Sequence, residues 1–237
     1  MAAVTARVLS HRRVYSGRVL ALDVDEIEEP GGVRATREVV RHSGSVVILA
    51  VDEQDRLALV RQYRYPVDGA LWEVPAGRRD PGESPEEGAR RELEEEVGAR
   101  AATVEHVLSF FASPGFCDEV MHLFRASGLS LGPARPEADE QIETCWVTLA
   151  EARALADRGE VKDAKTLLAV LLEERRRAGR EARTARRPTT TPGAAAPRRA
   201  GPRTASAPCR PSRFRGRGRA RRAGPPFAAG RARSRRG

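Results

Sequence analysis

Apolar residues alternate loosely through Val19, Ala21, Val24 and Ile27, then stop at Pro30-Gly31-Gly32, a run that turns the chain. Residues 33–42 read as the strand returning from that turn. Residues 46–51 form a short continuous apolar run, the pattern of a strand covered on both faces. A polar turn follows over 52–55, and residues 57–60 are apolar again, so the two runs read as a second hairpin. A short strand over 71–74 stops at Pro75. Further strands are predicted over 104–110, 120–125 and 142–147, a helix after Thr148, and another over 163–177. Strands interleaved with helices make a mixed α/β domain.

One helix is marked at both ends. Ser84 can cap it, Pro85 suits its first position, and Glu87 completes a capping box. Gly98 can end it. Between them Ala89, Leu93 and Val97 recur every four residues and give one apolar stripe. The same helix crowds acids. Glu92 and Glu96 are four apart, so their carboxylates stack on one face, with Glu95 three along from Glu92. Such carboxylates repel one another and meet the unfavourable end of the helix dipole. A cation among them removes that cost. Hard oxygen ligands with room for water suit Mg²⁺, with Mn²⁺ as the alternative. A glycine-rich turn precedes the helix and lets backbone approach the ion, so the Ala76 carbonyl is a candidate extra ligand. A pyrophosphate would complete the shell.

Composition divides the chain in two. From Arg175 onward it holds 21 arginines and one acid, Glu181, while the first 174 residues hold 21 basic and 32 acidic side chains. The high pI therefore belongs to the tail. That segment is Arg, Ala, Pro and Gly with little to bury, so disorder is expected there. Its arginines suit nucleic-acid phosphates. It has only two aromatics, Phe214 and Phe227, and no folded RNA-binding motif, which leaves stacking recognition poorly supported. A nonspecific extension and a tail folded back on the acidic domain are the other readings. The three cysteines have no metal-ligand spacing, and the N-terminal residues lack an apolar leader. No stretch approaches a membrane span, and a cytoplasmic location is expected.

Gly77, then Glu83 after five residues, then Arg91-Glu92-Leu93-Glu94-Glu95-Glu96-Val97-Gly98-Ala99 after seven more, fill every position of the pattern G-x5-E-x7-R-E-U-x-E-E-x-G-U. Seven fixed identities make a chance match on the order of one in ten million per position. That length outweighs the reading of a Glu-rich helix as a merely solvated face. The segment resembles the signature of the Nudix hydrolases. Gly77 and Gly98 read as backbone geometry, Leu93 as core, Arg91 as an orienter of carboxylates and Glu94 as a solvated side chain. Glu83 stays open between a metal ligand and a group that steadies one.

The flanks resemble the ADP-ribose pyrophosphatase branch. They include Val60-Arg-Gln-Tyr-Arg-Tyr-Pro66, Leu71-Trp-Glu-Val-Pro-Ala-Gly77, Ser109-Phe-Phe-Ala-Ser-Pro-Gly-Phe-Cys-Asp-Glu119, Ala138-Asp-Glu140 and Gly159-Glu-Val-Lys-Asp-Ala-Lys-Thr-Leu167, with Pro114 sixteen residues past Gly98. The resemblance covers about two thirds of the chain and none of the tail.

It implies a Nudix fold, an α/β/α sandwich of mixed β-sheet flanked by helices. Residues 1–42 would form an N-terminal hairpin region for dimerisation and substrate, 43–174 the hydrolase domain and 175–237 the disordered basic tail. It implies cleavage of ADP-ribose to AMP and ribose 5-phosphate, and a homodimer with exchanged N-terminal strands. By position Glu92 and Glu96 resemble metal ligands, and Glu140 the residue that positions or deprotonates the attacking water, with Glu95 its rival. Glu119 resembles a substrate-contacting or loop-orienting acid, Arg64 a phosphate clamp and Arg41 an arginine near the adenine. A solvated acidic loop at Glu140 and plain salt bridges at Arg64 and Arg41 are the bland readings. The alternatives in function are another nucleoside-diphosphate sugar such as GDP-mannose, or a Nudix-fold nucleotide- or RNA-binding protein using the tail. His42, His106 and His122 read as structural and Cys117 as a small loop residue.

Overall fold

A computed structural model describes residues 5–136 and 141–185. Glu140 and the tail beyond residue 185 lie outside these residues. The chain forms β1 (Arg7–Ser16), β2 (Leu20–Glu28), β3 (Arg34–His42), β4 (Ser45–Ala50), β5 (Arg56–Arg64), β6 (Gly69–Glu73), β7 (Ala76–Arg78), α1 (Pro85–Val97), β8 (Ala99–Phe111), β9 (Val120–Leu131), β10 (Ile142–Thr148), α2 (Leu149–Asp157) and α3 (Ala164–Ala185). Three sheets result, ordered β1-β2-β3, β10-β5-β6 and β7-β4-β9-β8. The pairings between these strands are antiparallel except β4 with β9, which makes the last sheet mixed.

The expected hairpin around Gly31 and Gly32 is β2–β3, with Leu20 opposite His42 and both glycines at positive φ, as the turn requires. The second expected hairpin does not form. β4 and β5 are buried strands of different sheets, joined only by the isolated bridge Val51–Leu57. Each run is apolar on both faces, so each takes its own partners, β7 and β9 for β4, β6 and β10 for β5. Local adjacency lost to this two-sided burial.

Alternation along β4 builds two cores. Val46 and Ile48 pack with Ala89, Leu93 and Val97 of α1, and with Phe124. Val47 and Leu49 pack with Ala152 and Leu155 of α2 and with Ala169 and Val170 of α3. Helices thus cover both faces, the layered α/β/α sandwich. Leu93 is fully buried, and its truncation to Ala would cost about 3 kcal/mol.

The last helix runs to Ala185, so the boundary expected at residue 174 falls inside it. Arginine and alanine are good helix formers, and Glu173 pairs with Arg176 and Arg177 one turn on. The first arginines of the basic segment are therefore helical. No helix among the described residues is long and apolar enough to cross a membrane.

Candidate active site

The site begins with the caps of α1. Ser84 Oγ accepts from Glu87 N at 3.3 Å, the Glu87 carboxylate accepts from Ser84 N at 2.9 Å, and Gly98 closes the helix in the left-handed region. These contacts fix the rotation of the helix, and with it the direction of its acids. Glu92 and Glu96 lie on the inward side, 8 % and 3 % exposed.

Both acids meet β7. Glu96 Oε2 accepts from Ala76 N at 3.1 Å. The Glu92 carboxyl group fills the space beside Gly77, where an added Cβ would come within 2.0 Å of it. Gly77 thus serves close approach rather than a turn. Arg91 gathers the remaining acids. Its Nε and Nη2 fork onto Glu83 at 3.0 Å each, its Nη1 reaches Glu92 Oε1 at 2.7 Å and Glu95 Oε2 at 2.9 Å, and Nη2 also donates to the Arg78 carbonyl. Hydrogen bonding to Glu83 raises the Arg91 pKa further, against the opposing effect of burial. The same bonds hold the Glu83 carboxyl below its ordinary value. Glu94 faces outward to Arg100, as a solvated residue should.

Carboxylates held against the Ala76 N–H and a side-chain-free glycine, with the Ala76 carbonyl on the same strand, form a donor set suited to a hard divalent cation. Among the described residues no three His, Cys, Asp or Glu groups already converge on one point. Glu92 and Glu95 each lend an oxygen to Arg91 instead.

Three further expected residues stand on other elements. Arg64, at the end of β5, forks onto Glu73 through Nε and Nη2 at 2.8 Å each; its Nη1 bonds nothing among the described residues. Bonding to Glu73 raises the Arg64 pKa against burial, and the charge of Glu96 adds to the effect. Glu119 accepts from Ser45 Oγ at 2.6 Å and lies 3.5 Å from His42 Nδ1, at the start of β4 beside β7. Arg41 is more fully engaged. Its Nε bonds Asp23, its Nη2 Asp25 and its Nη1 Asp118, so all three nitrogens have carboxylate partners. The Asp118 loop is docked on β3 by Val40 N to Phe116 O at 2.7 Å and Asp118 N to Val40 O at 3.1 Å.

Sequence reasoning assigned no role to Glu73, Lys165 or Asp163, which the structure joins to Arg64. The signal was an acid inside the apolar run 71–74. His106 and His122 share Ser109 Oγ at 2.9 and 2.8 Å on the sheet face beyond α1, and burial lowers the His122 pKa, with Arg79 and His106 adding to it.

The NUDIX domain model matches residues 41–170 of this chain. The ADP-ribose pyrophosphatase of Bacillus subtilis (strain 168) is 39 % identical over 172 residues, covering 72 % of this chain and 93 % of that protein. A methanol dehydrogenase activator from Bacillus methanolicus is also 39 % identical, over 69 % of this chain and 90 % of its own length. Among solved structures, an ADP compounds hydrolase matches with a TM-score of 0.65 at 24 % identity, covering 74 % of this chain and 95 % of that one, which speaks for the fold.

Proposed function

Because this chain belongs to the NUDIX domain family and is a Nudix hydrolase of its ADP-ribose pyrophosphatase branch, we propose that it hydrolyses ADP-ribose to AMP and ribose 5-phosphate, with Mg²⁺ as its ion. The observation that carries the reading is the burial of Glu92 and Glu96 side by side against Ala76 and Gly77. Glu92, Glu96 and the Ala76 carbonyl would hold the ion, which when bound neutralises charge on the pyrophosphate oxygens and favours the attacking water.

The chain's own groups do the rest. Arg91 keeps Glu92 and Glu95 at fixed spacing and prevents either from turning to solvent. Arg64 offers Nη1 to a phosphate oxygen while Glu73 holds the rest of its guanidinium, the planar geometry for which arginine is suited. Glu140 orients the water and takes its proton from outside the metal cluster. Glu95 is the weaker candidate, since one of its oxygens is bound to Arg91. Glu119, held by Ser45, steadies the loop beside the phosphates. Arg41 stabilises the β1-β2-β3 sheet and lines the adenine side. That sheet leaves Val8, Leu9, Val14 and Tyr15 of β1 exposed, which supports a homodimer in which a second copy covers it.

The test is product identity. Incubation with Mg²⁺ and a panel of ADP-ribose, GDP-mannose and other nucleotide sugars should give fastest turnover of ADP-ribose, with AMP and ribose 5-phosphate formed one to one. Faster turnover of GDP-mannose would overturn the substrate. Glu140→Gln should lower kcat more than it raises KM. If Glu95→Gln does so instead, the base is Glu95.

A further inference from the structure

The first turn of α3 reaches Arg64 through two buried charges, Lys165 and Glu73. Lys165 is 8 % exposed, and its Nζ donates to Glu73 Oε2 at 2.5 Å and lies 3.0 Å from Asp163 Oδ1. Glu73, 2 % exposed at the end of β6, receives the Arg64 fork on its two oxygens. Asp163 is fixed in turn, because its Oδ2 accepts from Thr166 N and Thr166 Oγ1. Thr166 Oγ1 accepts from Val74 N at 2.8 Å and pins the stretch between Glu73 and Ala76. Two cations and two anions therefore balance, with Glu73 and Lys165 buried and Arg64 half-buried at the edge.

We propose that Lys165 is a positioning residue for substrate phosphate, acting through Glu73 on Arg64. The proposal rests on the reading that Arg64 holds a phosphate. The two oxygens of Glu73 occupy one edge of the Arg64 guanidinium, and Nη1 stands on the other edge. Lys165 shares Glu73 Oε2 with Arg64 Nη2, so it fixes the carboxylate that orients the fork and offsets part of the charge that would otherwise fall on Arg64 alone. The guanidinium so held directs Nη1, with both its protons, at the ligand. Without Lys165 the uncompensated charge of Glu73 and Asp163 competes with the phosphate for Arg64. The loss appears in binding rather than in the chemical step, since the base and the carboxylates of α1 are untouched.

A double-mutant cycle over Lys165 and Arg64 tests this. Lys165→Met should raise KM for ADP-ribose about tenfold and weaken competitive inhibition by inorganic pyrophosphate by a similar factor, with kcat changed less than about threefold. Arg64→Ala should raise KM at least as much, and adding Lys165→Met to it should do no further harm. If the two KM effects multiply, Lys165 does not act through Arg64 and the proposal falls. If Arg64→Ala raises KM while Lys165→Met leaves it unchanged, the proposal also falls although the phosphate clamp stands. If Arg64→Ala leaves KM unchanged, the clamp itself is wrong and the proposal falls with it. Should Lys165→Met not fold, as judged by its melting curve, Lys165→Gln carries the same cycle, since its amide still donates to Glu73 without the charge.

Discussion

Arg91 Nη1 lies 2.7 Å from Glu92 Oε1, so a cation built into the chain already holds one of the carboxylates assigned to the metal. The same nitrogen binds Glu95, while the far side of the guanidinium is locked onto Glu83. One residue thus sets the spacing of three acids. Replacing it with lysine keeps the charge but loses the fork. Arg91→Lys should raise the Mg²⁺ concentration for half-maximal turnover at least about fivefold and cost about 1–3 kcal/mol of stability. Metal titrations of activity and urea melts check both. An unchanged Mg²⁺ requirement would show that Arg91 does not organise the ligands.

Gly77→Ala should damage the site more than the fold. The new Cβ would stand 2.0 Å from the Glu92 carboxyl group, which must swing away from β7. Since the displaced group is the end of a side chain, the melting temperature should fall by only a few degrees while turnover drops on the order of a hundredfold. Equal loss of both would place Gly77 in the scaffold instead.

The legible part of this structure was local. Ser84, Pro85, Glu87 and Gly98 marked α1 at both ends, and the helix runs over Pro85–Val97 as expected. Its acids were readable from spacing alone. What stayed hidden depends on distant partners. β4 and β5 looked like a hairpin because nothing local says which sheet a two-sided apolar strand joins. β1 was missed because its ten residues are all exposed and follow no buried pattern. Glu73 and Lys165 are 92 residues apart, and only the packing of α3 on β6 brings them together. Arg41 has three aspartate partners, and nothing in the hairpin pattern shows them.

Arg41→Ala should unfold the N-terminal sheet more easily. Asp23 and Asp25 are 1 % and 4 % exposed and would each lose a guanidinium partner, leaving Arg13 on Asp23 and His11 on Asp25. A loss of about 1–3 kcal/mol is expected for buried carboxylates that keep part of their pairing. Urea midpoints measure it, and an unchanged midpoint would show the remaining partners suffice.

Glu173 gives the fold an acid-sensitive anchor. Burial opposes its ionisation, yet hydrogen bonds from Arg176 and Arg177 and the charge of Arg125 bring its carboxyl from 4.5 down to about 2. The folded protein therefore binds this proton more weakly than the unfolded chain. The resulting stabilisation, of order 3 kcal/mol, is complete above the unfolded value and is lost as pH falls through the folded one. The stability gap between wild type and Glu173→Gln should thus narrow as pH is lowered from about 6 to about 2.5. A gap that stays constant would mean the carboxylate contributes nothing as a charge.

Glu92 and Glu96 are the pair that would grip a divalent ion together. Titration of Mn²⁺ followed by electron paramagnetic resonance, on wild type and on Glu96→Gln, addresses this directly. Wild type should bind the ion and Glu96→Gln should bind it at least tenfold more weakly, with unaltered melting and a matching rise in the metal needed for ADP-ribose hydrolysis. Equal Mn²⁺ affinity in the two proteins, with equal turnover at limiting metal, would contradict it.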